Sequence, residues 1–331
     1  RLKDIAMLAE ETGRGFARDV LLCVYPSRKG HGIEPPELAW KMAFGEQAVE
    51  ELKKEKLLTA VLRKKATPGQ VSKAEEIIER NRKKAVQVVI ALSHYSTSHT
   101  RFRDFLTRIC GTRYASMPLF EVEMLEGAMN VDWKALARRT REIMKVINQA
   151  EIIGVKTPNG THIEFSKKGR KADADTGILT RPGSFGNLPA GEVYLPPLEG
   201  TARGMLVVEW GPTRRLSSPI TAFVENGSVV EVQGSDPYAD TLREKLEERK
   251  ENRNIAEFGI GTNENATRPH NILEAEKILG TIHIAFGDNS TFGGTVRTPF
   301  HQDFVFFRPT VLLTDREGRQ TVFMKNGEIQ Q

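Results

Sequence analysis

At 331 residues the chain exceeds the usual size of a single core, so two domains are the expectation. Its 39% hydrophobic and 27% charged content is that of a globular protein, and its longest apolar runs, such as residues 86–92, are too short to span a bilayer, so no membrane span is expected. The net charge of +5 and pI near 9.1 come from short basic clusters without interleaved aromatics, Arg63-Lys64-Lys65, Arg82-Lys83-Lys84 and Lys167-Lys168-Gly169-Arg170-Lys171, which read as solvated faces and not as a nucleic-acid surface.

The chain opens on Arg1-Leu2-Lys3-Asp4-Ile5, the start of an amphipathic helix over residues 2–17 and not a signal peptide. Residues 19–25 form a mostly apolar run stopped by Pro26, the pattern of a buried strand. Pro35-Pro36 then introduces a long helix over residues 37–54. Residues 57–62 fit either a short strand or a helix. A turn at residues 67–69 precedes a charged helix over 71–84, and residues 86–92 read as the next buried strand. A helix over 102–110 is stopped by Gly111, a short strand follows at 114–117, and residues 132–148 form another helix. Strands alternating with helices predict an α/β domain with a mostly parallel sheet over residues 1–149. Cys23 and Cys110 read as core thiols of a reducing cytoplasm, which is the expected location.

The grammar changes near Gln149. Asn159-Gly160 and Asn226-Gly227 are hairpin signals between short β-like runs. Further β-like segments lie near Tyr194, Met205, Ile220, Ile282, Phe304 and Val322, interrupted by a helix over 238–250. Residues 150–331 are therefore expected to form a β-rich α+β domain, and this half carries the residues of a candidate metal site.

His301 and Asp303 are two apart, so on a strand both side chains leave one face and can grip one ion; His283 sits in a second β-like run eighteen residues earlier. Imidazole with carboxylate suits Zn, Mn, Co or Fe(II) better than Ca or Mg. A buried His hydrogen-bonded to an Asp is the plainer alternative for any single pair. Glu192, where a turn enters an apolar strand, and Glu257, flanked by apolar residues and glycines, add two carboxylates whose burial requires a partner. Three carboxylates and two imidazoles could hold two metals with one carboxylate as bridge. Glu276, in a helical turn before His283, reads as a solvated charge in preference to a group supporting the metal ligands from behind, and His31, His162 and His270 read as exposed.

Four blocks, Gly191-Glu192-Val193-Tyr194, Ala256-Glu257-Phe258-Gly259-Ile260-Gly261-Thr262-Asn263, Gly280-Thr281-Ile282-His283-Ile284-Ala285-Phe286-Gly287 and His301-Gln302-Asp303, resemble in order the aminopeptidase T family of metallopeptidases, over most of residues 152–314. The resemblance implies a two-metal site of Glu192, Glu257, His283, His301 and Asp303, with Zn, Co or Mn, Glu192 or Glu257 acting on the proton of an attacking water, a peptide substrate, and a homodimer whose sites face an enclosed cavity. Two departures stand out. The tyrosine that the family carries shortly after the residue matching His283 is absent from Asp288-Asn289-Ser290-Thr291-Phe292-Gly293-Gly294, which leaves Arg181, Arg203 or a backbone N–H near Gly293 as replacements, and the first domain is short. Both features resemble a shorter branch of the same superfamily, the 2,5-dihydroxypyridine 5,6-dioxygenases, which implies a single Fe(II) on His283, His301 and Asp303. The expectations are thus an aminopeptidase-like hydrolase, a mononuclear ring-cleaving dioxygenase acting on a small hydroxylated aromatic or pyridine, or a metal-binding protein without turnover.

Overall fold

The computed structural model describes residues 1–330. Its contacts gather the chain into two compact units, the first formed by Arg1–Val122 with Ile178–Leu188, the second by Glu123–Gly177 with everything from Pro189 onward. Among the described residues no helix is long and apolar enough to cross a membrane.

The first unit is mainly helical, around a three-stranded parallel sheet in the order Val88–Ser93, Arg113–Pro118, Phe185–Asn187. Its core is aromatic: Trp40, Phe44, Phe102, Phe105 and Tyr114 are all buried, with the Trp40 and Phe44 rings stacked at 4.9 Å. Helix Pro68–Asn81 begins with a capping box, in which Gln70 N–H donates to Thr67 Oγ1 (3.3 Å) and Thr67 N–H to Gln70 Oε1 (2.9 Å). The buried Glu34 carboxylate accepts the N–H groups of Arg101 (2.6 Å) and Phe102 (3.0 Å) at the start of helix Arg101–Asp104, which continues as a π-helical turn, Phe105–Ile109, up to Gly111. Desolvation lifts the Glu34 carboxyl to about 7, against the pull of those two bonds.

Three expectations for this half are corrected. Residues 19–25 form no strand: they have no sheet partner among the described residues, and Leu21 is 61% exposed. An apolar run becomes a strand only where a sheet edge receives it. Residues 37–54 are two helices, Glu37–Phe44 and Glu46–Lys54, because Gly45 at φ 89° turns the backbone out of the helical region between them. Strand Val88–Ser93 lies at the edge of its sheet, and Val88 and Ile90 are exposed instead of buried. The ambiguous residues resolve as helix Leu57–Leu62.

The second unit is β-rich, as its alternating pattern and hairpin signals predict. One sheet has eight strands, in the order Ser228–Gln233, Arg215–Glu225, Arg203–Trp210, His162–Ser166, Ile152–Lys156, Thr310–Thr314, Gln320–Lys325, Glu328–Ile329. At the Asn226-Gly227 hairpin both residues take positive φ (47° and 75°), the requirement of the tight primed turn. The other sheet has five antiparallel strands, in the order His301–Phe307, Thr281–Gly287, Ile255–Gly261, Glu192–Leu195, Asp173–Asp175. Both sheets feed one hydrophobic cluster, in which Ile163, Phe165, Leu206 and Ile220 meet Leu195, Phe258, Ile284 and Phe304. Phe165 and Phe258 lie 5.3 Å apart across it. Helix Trp133–Ile147, although it precedes Gln149 in the chain, belongs to this unit; Asp132 caps it, and Ile143 and Ile147 join the same cluster.

Candidate metal centre

Strand periodicity explains how one sheet presents both a core and a polar site. In the five-stranded sheet Val193, Leu195, Phe258, Ile260, Ile282, Ile284, Phe286, Phe304 and Phe306 enter the hydrophobic cluster. The intervening residues Glu192, Glu257, His283, His301 and Asp303 leave the other face. Glu257 reaches that face through a bulge. Ile255 pairs with Phe286 and lies in the core, so Glu257, two residues on, would follow it there; the register shift at Ala256 pairs Glu257 with Ala285 instead and sends its carboxylate to the polar side.

Small residues clear the space. Glu192 pairs with Gly261, His283 with Gly259, Glu257 and Asp303 both with Ala285, and His301 with Gly287. A β-carbon on Gly259 would lie 2.0 Å from the His283 ring, so only glycine admits the imidazole there.

The carboxylates and imidazoles converge. Glu257 Oε1 lies 3.3 Å from His283 Nε2, and its Oε2 lies 3.4 Å from His301 Nε2. On one side Glu192 Oε2 is 3.5 Å from His283 Nε2; on the other, Asp303 Oδ2 is 3.5 Å from His301 Nε2. Two groups result, Glu192–Glu257–His283 and Glu257–His301–Asp303, each with its ligand atoms within 4.8 Å of one another, and Glu257 belongs to both. His283, His301 and Asp303 do not converge as a group of their own. His301 Nδ1 donates to the Asp288 carbonyl at 2.7 Å, since a carbonyl can only accept, and this bond leaves the Nε2 lone pair of the neutral ring facing the site.

The donors fit a metal. Glu192 Oε2 is buried without a hydrogen-bond partner, and carboxylate oxygens crowd imidazole nitrogens in a way that requires a cation or a proton between them. In the metal-free protein protons fill that role. Burial alone would lower the His283 pKa, but the bond to Glu257 and the charges of Glu192 and Glu276 outweigh it and raise it to about 9. His301 is raised well above its ordinary value in the same way, burial being overcome by Asp303 and Glu257. Burial likewise opposes ionisation of Asp303 and Glu257, and the imidazoles overcome it, holding both below the ordinary carboxyl range.

A metal needs neutral imidazole, so cation uptake is expected to release protons and to weaken as pH falls below about 9. Titration calorimetry in two buffers of different ionisation enthalpy measures those protons, and uptake without proton release at neutral pH would contradict this electrostatic picture. The same shift gives the metal-free fold a stability contribution that is fully present below the ordinary imidazole value of 6.5 and lost as pH rises through about 9.

Two residues near the site depart from the sequence reading. Glu276 is not a solvated surface charge: its side chain is only 12% exposed, and desolvation holds its carboxyl above the ordinary range against the pull of Lys277. Lys277, which the sequence reading passed over, is fully buried, with Nζ 2.6 Å from Glu192 Oε1 and 3.0 Å from Glu276 Oε2. It occupies one oxygen of Glu192 and leaves the other facing His283. Its only sequence signal was a Glu-Lys pair just before an apolar strand. Arg203, considered as a replacement for the absent tyrosine, is instead an exposed residue paired with Glu164 on the eight-stranded sheet, and Arg181 belongs to the first unit. His31, His162 and His270 are exposed, as expected.

The family model for 2,5-dihydroxypyridine 5,6-dioxygenase (NicX) matches residues 63–331. Among solved structures, the chain is similar to a 2,5-dihydroxypyridine dioxygenase from Pseudomonas putida KT2440, with 20% identity, 78% of this chain and 75% of that chain covered, and a TM-score of 0.64. It is also similar to wild-type AmpT from Thermus thermophilus, with 17% identity, 85% of each chain covered and a TM-score of 0.52. At these identities the two structures establish a shared fold, in line with the superfamily that the four sequence blocks resemble. No curated protein sequence matches the chain.

Proposed function

We propose that this chain, which belongs to the NicX family of 2,5-dihydroxypyridine 5,6-dioxygenases, is a metal-dependent enzyme in which Glu192, Glu257, His283, His301 and Asp303 would hold two divalent cations, Glu257 shared between them, and that it catalyses hydrolysis of a small acyl substrate, a peptide in the first instance. The observation that supports this best is the division of Glu257, whose two oxygens address two different imidazoles, each with its own further carboxylate. Glu192 and His283 would complete one cation's ligands, His301 and Asp303 the other's. Bound there, Zn, Co or Mn supplies a Lewis acid that lowers the pKa of water and polarises a carbonyl. The chain's own residues do the rest. Lys277 fixes Glu192 and the Asp288 carbonyl fixes the His301 tautomer; with both oxygens of Glu257 engaged, Glu192 is the carboxylate that would take up the proton released as water attacks.

A second reading is favoured by the family match over residues 63–331: a single Fe(II) on His283, His301 and Asp303, with Glu192 and Glu257 facing a hydroxylated aromatic or pyridine that is cleaved with oxygen. Paired assays separate the two. The two-cation reading expects the Zn-, Co- or Mn-loaded protein to hydrolyse aminoacyl anilides or dipeptides, and the Fe(II)-loaded protein to consume no oxygen with 2,5-dihydroxypyridine. Oxygen uptake without hydrolysis reverses the assignment, and no turnover in either assay contradicts both.

A further inference from the structure

The loop of residues 288–300 joins the strands of His283 and His301 and carries Phe292 back over the metal ligands. The Phe292 ring meets His301 edge to face at 6.1 Å and Tyr194 in the same manner at 5.8 Å. Tyr194 shares the polar face of its strand with Glu192, since Val193 and Leu195 enter the core. In the order of the five-stranded sheet His301 lies on the first strand and Tyr194 on the fourth, with His283 and Glu257 on the two between. A ring that touches both therefore stands over the face from which the ligands project. Phe292 is half-buried, so part of its ring stays open to a molecule entering the centre. The loop holds it in place. Glu199 Oε1 accepts the Asn289 side-chain N–H at 3.0 Å and the Thr295 backbone N–H at 2.7 Å, pinning the chain on both sides of Phe292. Arg170 binds the other Glu199 oxygen and also donates to the Gly293 carbonyl. Asn289 is fully buried and accepts the Val296 N–H at 2.9 Å, and a β-carbon on Gly294 would lie 1.9 Å from its side chain, so glycine lets the loop close on it.

A partly open ring over a cluster of charged ligands is an apolar surface lacking an apolar partner, and a flat ring bound at the metal would supply one. Aromatic rings attract one another edge to face or offset-stacked beyond the area they bury, and a ring already fixed by its loop loses little freedom when the second arrives. We propose that Phe292 forms the aromatic wall of the substrate site and packs against the ring of a hydroxylated aromatic or pyridine held at this centre, and so selects flat substrates over chain-like ones. The inference deepens the single-iron reading and rests on it. Phe292 makes no bond to the metal; its contribution is to the affinity for the substrate ring.

The test is binding of 2,5-dihydroxypyridine, in the absence of oxygen, to the zinc-loaded protein, since zinc has no redox chemistry and no turnover follows. Acetohydroxamate, a metal chelator without a ring, is the control, and metal content is measured on the same samples. Phe292→Leu keeps apolar bulk and removes the ring. It is expected to raise the Kd of the pyridine about 3- to 10-fold, the range for the loss of an aromatic pair, and to leave that of acetohydroxamate within about twofold. Phe292→Tyr keeps a ring and should bind the pyridine within about twofold of wild type. Equal pyridine affinities in wild type and Phe292→Leu overturn the inference and leave the single-iron reading standing. An equal loss for acetohydroxamate overturns it as well, because Phe292 would then act by holding His301 and not on the substrate ring. Wild-type protein that binds acetohydroxamate but not the pyridine refutes the aromatic reading itself, and the inference with it.

Discussion

Glu257→Gln protein is expected to lose both cations together, with affinity falling at least about a hundredfold at each position, since even partners behind the ligands cost 10- to 100-fold. The reason is the sharing of one carboxylate: Oε1 lies by His283 and Oε2 by His301, so neutralising Glu257 removes a charged donor from both groups. Glu192→Gln should weaken only the group containing His283, and Asp303→Asn only the group containing His301. Cation content after desalting, followed by titration of the stripped protein, distinguishes the three variants. Glu257→Gln protein that keeps one tightly bound ion would place Glu257 outside the ligand set and favour the single-iron reading.

Lys277→Met is expected to destabilise the metal-free protein by about 3–5 kcal/mol at neutral pH, the cost of breaking a buried ion pair by removing one partner. Lys277 is fully buried, and its loss strands the Glu192 carboxylate, whose other oxygen already lacks a hydrogen-bond partner. Added cation should restore part of the deficit, because a metal held by Glu192 would bind the folded state alone. Urea unfolding of wild type and variant reads the difference, and a loss below about 1 kcal/mol, the size of an exposed pair, would show that Lys277 does not compensate Glu192.

These effects concern residues that the sequence exposes unequally. The His301–Asp303 spacing and the alternation of Ile282, Ile284 and Phe286 around His283 carry their meaning locally, because a strand has period two and one face must be apolar. Asn226-Gly227 is legible for the same local reason, as only a few residues accept positive φ at both turn positions. Glu257 is harder to read: two residues after the core residue Ile255 its simple parity points inward, and only the bulge at Ala256 brings it to the site. Lys277 was invisible because nothing local distinguishes a lysine that stretches to a buried carboxylate from one that points to water. In the first unit, residues 19–25 and Val88–Ser93 have the apolar composition of buried strands, yet one finds no sheet edge and the other lies at an edge; pairing is a property of the whole sheet.

The most direct measurement is the metal content per chain, by elemental analysis of protein purified anaerobically without chelators and again after reconstitution. A centre bridged by Glu257 predicts about two Zn, Co or Mn per chain, falling below one in Glu257→Gln. One iron per chain, retained in that variant, would contradict the two-cation centre and assign the site to the oxygenase chemistry of its family.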